Sequence, residues 1–226
     1  MNEGIRATNT DRFRVLILVL TLINTIFAAA LSGLQVDANI RADQANRDSQ
    51  YYALLAANEL VRVGHQSAYD FELFATTVKD AQQSLVMGLT ALELEQDDQE
   101  ESAAKLQSQS EVAQARSEKG IALSLLYADP RYAPAEPDGI PDLEAYLADQ
   151  SKTPNDLVTK QNTATDMYHS WDNKADSYIA VLSILAIAFF LLGLAQSTAH
   201  MRLFFAVSAL AVMFIAGAWT GFIMIS

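Results

Sequence analysis

Cysteine is absent from this chain of 226 residues. That excludes disulfide staples, thiolate zinc sites and a cysteine nucleophile, and it leaves the redox compartment open. Histidine is nearly as scarce: His65, His169 and His200 are the whole supply, and none has a second histidine three or four residues away. A helical metal-binding face is therefore missing. There is no G-x-S-x-G turn, no glycine loop of the kind that cradles phosphate and no dinucleotide-type glycine turn. The residues thus read as a non-enzymatic protein with no cofactor. Proline is also rare, and four of the five fall between Asp129 and Pro141, so the tracts on either side are free to be helical.

Positive charge is in deficit. The formal net charge is −12, from 27 acids and 15 bases. Asp37 to Asp176 holds 25 of those acids and 11 of the bases, a net charge of −14 (11 minus 25). A surface of that sign repels nucleic acid and anionic lipid heads, and it suits cations or a basic protein surface.

What the chain does contain is three uncharged apolar runs, Val15 to Val36, Tyr178 to Gln196 and Leu203 to Ile225. The first is about 22 residues, roughly 33 Å as a helix, which matches the hydrocarbon thickness of a bilayer. The pattern predicts an all-α integral membrane protein. Its three transmembrane helices would carry a long extramembrane helical hairpin, or stalk, inserted between the first and second spans. The expected divisions are a short basic tail over 1–14, spans over 15–36, 178–196 and 203–225, and an acidic helical domain over 37–177. The basic tail, apolar run and Ala28-Ala29-Ala30 also fit a signal peptide, but the run exceeds a usual h-region, so an uncleaved anchor is expected. Arg6, Arg12 and Arg14 precede the first span, and His200 and Arg202 lie between the other two. By the positive-inside rule the N-terminus is expected to be cytoplasmic and the acidic domain extracytoplasmic, in a multi-pass protein of the inner (plasma) membrane.

Asn24 is the strongly polar residue at mid-depth of the first span, and an amide at that depth needs a partner helix or a polar cavity. Ala29 with Gly33, and Gly217 with Gly221, are small-xxx-small pairs that permit close helix packing. Tyr168, His169, Trp171, Tyr178 and Trp219 fit an aromatic belt at one membrane face.

In the acidic domain the expected helices cover about 37–96, 102–127 and 154–177, with a proline-rich linker over 128–153. The first would run on from the membrane span without a break, with Gly64 and Gly88 as places to bend. Phe71, Phe74, Val78, Leu85 and Leu92 recur at heptad-like spacing and are expected to form its packing stripe. ELEQDDQEE, from Glu93 on, reads as a solvated turn, and Thr153-Pro154 as the start of the last helix. Within the linker, Glu136, Asp138, Asp142 and Glu144 surround Gly139 and are the candidate calcium ligands, with a plain proline-rich turn as the competing reading.

A basic segment and span leading into QANRDSQYYALLAANEL, closed by KADSYIAVLSILAIAFFLLGL and FFAVSALAVMFIAG, resembles an uncharacterised family of bacterial membrane proteins. That family has one N-terminal span, a long helical region and a C-terminal span pair. The resemblance implies this architecture and supplies no activity or site residue. The expected function is structural or accessory: self-assembly, or membership of a larger membrane complex, through the stalk and spans. Partners would be the lipid bilayer and either copies of the chain or other membrane-protein subunits, with no nucleic acid. Two alternatives are a small oligomeric cation channel lined by Asn24 and a sensor without its own output domain.

Overall fold

The computed structural model describes residues 3–136, 139–198 and 201–225, with side chains from Phe13 onward. Asp138 and His200 lie outside the described residues. Five helices follow one another: α1 (Glu3–Gln96), α2 (Glu100–Leu123), α3 (Leu125–Ala128), α4 (Leu143–Ser197) and α5 (Arg202–Ile225). No strand occurs among the described residues. α1, α4 and α5 each contain a stretch long and apolar enough to cross a membrane. The chain divides into two compact units, Met1–Tyr51 with Gln161–Ser226, and Tyr52–Lys160, so α1 and α4 each contribute to both.

In the first unit α1 and α4 run antiparallel. Ile17 and Leu20 meet Leu192 and Ala195, Leu31 meets Val181 and Tyr178, and the Ser49 and Thr165 hydroxyls share a hydrogen bond of 2.8 Å. α5 closes the unit with Ala206 and Ala209 against the first cluster and Ala216 and Ile223 against the second. Alanine dominates the inside of this unit, while large apolar side chains point out: Phe214 is 79% exposed, Phe222 72% and Phe190 66%. A water-soluble fold would have the reverse, because exposed aromatic surface of this extent has no favourable contact in water. Lipid removes that penalty, leaving small residues inside to bring the backbones together. The small pairs marked in the sequence do not serve here. Ala29 is exposed, and a Cβ placed on Gly33, Gly217 or Gly221 would meet no atom within 4 Å.

In the second unit α2 lies along α1. Its buried residues, Ala103, Ser110, Ala113, Ser117 and Gly120, recur three or four apart, which puts them on one helical face. They face the stripe of α1 that includes Thr77, Ser84, Gly88 and Ala91. Ser110 donates to the Ser84 carbonyl at 2.7 Å, and a Cβ on Gly88 would stand 3.3 Å from the Ser110 hydroxyl oxygen. A Cβ on Gly120 would collide with the Thr77 hydroxyl. The seam is therefore made of glycine, alanine, serine and threonine. The expected leucine stripe is only partly used: Phe71 and Phe74 pack inward and Val78 is half-buried, but Leu85 is 66% exposed and Leu92 55%. Small residues win the seam because helices in close approach leave no room for leucine.

Helix ends correct the sequence reading further. α1 passes Gly64 and Gly88 without interruption and stops at the acidic turn, where Asp98 adopts a left-handed φ of 59°. Gln99 N–H bonds the Leu94 carbonyl and Asp98 N–H that of Glu95, a helix stop that usually takes glycine at the left-handed position. The helix expected over 102–127 breaks at Ser124, whose ψ of 125° is extended, and α3 restarts beyond it. α4 begins at Leu143 and not at Thr153-Pro154. Asp142 caps it by accepting the Ala145 N–H at 2.9 Å, and Pro154 is accommodated inside the helix.

Candidate functional site

The densest polar chemistry lies in the second unit, where α1, α3, the proline-rich loop and α4 converge. The loop is shaped by Asp129, whose carboxylate accepts the Arg131 backbone N–H at 3.0 Å and whose carbonyl accepts from Tyr132 and Ala133. Asp142 N–H then bonds the Tyr132 carbonyl at 2.8 Å. This pins Tyr132 edge-on to Tyr146, with ring centroids 5.4 Å apart, and Phe71 of α1 meets Tyr146 in the same manner at 5.9 Å. Leu126, Tyr132 and Tyr146 are all but fully buried.

Asp70 of α1 sits within this aromatic setting, 1% exposed. Its Oδ2 accepts the Tyr146 hydroxyl at 2.6 Å and the Gln66 amide at 3.0 Å, while Oδ1 is buried with no hydrogen-bond partner among the described residues. A 2.6 Å O–H···O contact is in the range of charge-assisted hydrogen bonds. Burial, then the bond to Asp70, pushes the Tyr146 hydroxyl up to about 12, since a phenolate would be a charge in an apolar place and would lose that bond. The phenol comes from α4 and the amide from α1 itself, so the Tyr146 bond ties the two helices together.

A charged hub lies beside this cluster. Asp149 accepts from the Tyr132 hydroxyl at 2.8 Å, from Arg131 at 2.6 Å and from Lys152 at 2.7 Å, while Arg131 also grips Asp129 at 2.7 Å. Its pKa is held below the ordinary carboxylate value, chiefly by the hydrogen bonds from Lys152 and Tyr132. Neither the aromatic cluster nor the hub is visible in sequence spacing. Asp70 and Tyr146 are 76 residues apart and carry no local motif, and only the density of tyrosine and aspartate after Asp129 hints at them.

The residues singled out from sequence fall as follows. Asn24 is fully buried, donates to the Leu185 carbonyl at 3.2 Å and leaves its Oδ1 without a partner among the described residues, so it faces α4 and neither lipid nor an open path. Of the calcium candidates, Asp142 is engaged as the α4 cap, Glu136 and Glu144 are exposed, and Asp138 is outside the described residues. Among the described residues no group of three or more histidines or acids converges on a metal position. His65 and His169 are exposed, His169 against the Tyr168 ring, and His200 is outside the described residues. Trp219 of α5 shares a surface cleft with Ser170, Asn173 and Lys174 of α4, and Trp171 carries Arg41 on its ring face at 4.7 Å. The aromatic residues thus share one end of the first unit. No protein-family model, curated protein or solved structure matches the chain.

Proposed function

We propose that this is a non-enzymatic structural protein of the inner (plasma) membrane, multi-pass with its N-terminus cytoplasmic, that assembles with copies of itself through its extramembrane helices. The observation that carries the proposal is the stripe left open on α1. Leu85, Leu89 and Leu92 are 66%, 56% and 55% exposed and repeat at heptad spacing, on a helix whose other face is already taken by α2. Outside lipid, an apolar row of this kind is covered when a second helix presents its own. Ala29 with Gly33 and Gly217 with Gly221, open on the spans, are further places for close helix contact. A cation channel draws less support, because Asn24, its expected lining residue, is turned against α4.

The test is the mass of the complex extracted from native membranes in mild detergent. The expected result is a multiple of the 24.7 kDa chain, reduced to a single chain by Leu85→Ser with Leu92→Ser. Each leucine withdrawn from water is worth about 1.5–3 kcal/mol. A monomeric unmodified chain overturns the proposal. Other polypeptides in fixed ratio would make the chain an accessory subunit instead.

A further inference from the structure

A second polar feature belongs to the first unit, at the end away from the aromatic residues. Phe13, Arg14, Ile17 and Leu18 of α1, Ala195 and Gln196 of α4 and Arg202 of α5 line a pocket of about 310 Å³. One wall is apolar and continues the membrane-facing surface, since Leu18 is 62% exposed. The other presents two guanidinium groups and an amide. The Arg202 Nε is buried and has no hydrogen-bond partner among the described residues. A guanidinium N–H withdrawn from water without an acceptor is costly, and arginine has no neutral form in which to escape that cost. No acid lines the pocket among the described residues, and the sequence carries none from Ser177 to Ser226. Among the described residues this donor is left without an acceptor, which an anion bound in the pocket would supply.

We infer that this pocket holds the phosphate of an anionic membrane lipid, with Arg202 and Arg14 on the headgroup, Gln196 as an additional donor and an acyl chain along Phe13, Ile17 and Leu18. A guanidinium presents paired N–H groups that match phosphate oxygens. Basic pockets between spans, at headgroup depth, are where such lipids are retained. The acidic surface between Asp37 and Asp176 repels the same headgroups, so the chain discriminates between its two ends. The inference rests on the spans crossing a bilayer and not on self-assembly.

The full chain in neutral detergent is incubated with phosphatidylglycerol or phosphatidylcholine, and retained lipid per chain is counted by native mass spectrometry. This count is independent of whether the chain is monomeric. Phosphatidylglycerol is expected to be retained about five- to tenfold better than phosphatidylcholine. Arg202→Gln removes most of that preference, and Arg202→Lys, which keeps the charge but not the fork, removes part of it. Arg62→Gln, an exposed residue of the second unit, leaves it unchanged, and excess inorganic phosphate does not displace the lipid. Equal retention of the two lipids, an unaltered preference in Arg202→Gln, or an equal loss in Arg62→Gln overturns the inference. Displacement by inorganic phosphate overturns it too, by making the site one for a soluble anion. Should Arg202→Gln lose helicity by circular dichroism, Arg202→Lys and Arg14→Gln decide in its place: an unchanged preference in both overturns the inference, and a reduced one supports it.

Discussion

Asp70 has given up water for two donors, and the stronger of them, the Tyr146 hydroxyl, reaches it from a helix that is far away in sequence. Tyr146→Phe keeps the ring contacts with Phe71 and Tyr132 but withdraws that donor from a buried carboxylate. The expected loss is about 1–3 kcal/mol of stability at neutral pH, measured by denaturation of the helical signal. The same pair sets an alkaline limit. Tyr146 is raised from an ordinary value near 10 to about 12 in the fold, so the neutral phenol is the folded form. Its contribution is complete below pH 10 and is lost as pH climbs toward 12. Tyr146→Phe should therefore be less stable at pH 7 yet show a shallower decline above pH 10.

At the scale of elements, the second unit depends on how closely α1 and α2 approach. Gly120 is where this is tightest. An alanine there would run its Cβ into the Thr77 hydroxyl, and turning that side chain helps little because the Thr77 Cβ is itself only 3.2 Å away. Gly120→Ala should cost about 1–3 kcal/mol, read from thermal unfolding, although alanine is the better helix former. The seam also shows where sequence reading succeeds and where it stops. The absence of proline before Pro130 and the uncharged run after Arg14 made a long α1 legible. The partner face was not, because heptad logic ranks leucine above serine, and nothing in Leu85 or Leu92 says that the neighbouring helix has come too close to admit them. Thr153-Pro154 misled for a related reason. Threonine before proline looks the same whether the helix starts there or, as here, has already run from the Asp142 cap. The aromatic cluster around Asp70 joins residues whose proximity only the folded chain creates.

Across the whole molecule, net charge bears on the proposed assembly. Self-assembly through the acidic region must overcome repulsion between surfaces that each carry −14 (11 bases minus 25 acids) between Asp37 and Asp176. Raising ionic strength screens that repulsion over about 8–10 Å, so assembly should tighten with added salt. A complex with a basic partner would loosen, and sedimentation across a salt series separates the two. The first unit adds two clusters of basic side chains, Arg14 and Arg202 on the pocket at one end, and Arg41 and Lys174 around Trp171 at the other.

Both tryptophans, Trp171 and Trp219, belong to the first unit, whereas the second holds Tyr127, Tyr132 and Tyr146 with Phe71 and Phe74 and no tryptophan at all. The chain is thereby colour-coded. Indole emission, excited at its red edge, follows the first unit alone, whereas near-ultraviolet dichroism adds the locked Tyr132 and Tyr146 rings of the second to the aromatic rings of the first. In a single unlabelled sample, any dichroism change that comes without a change in indole emission therefore belongs to the second unit.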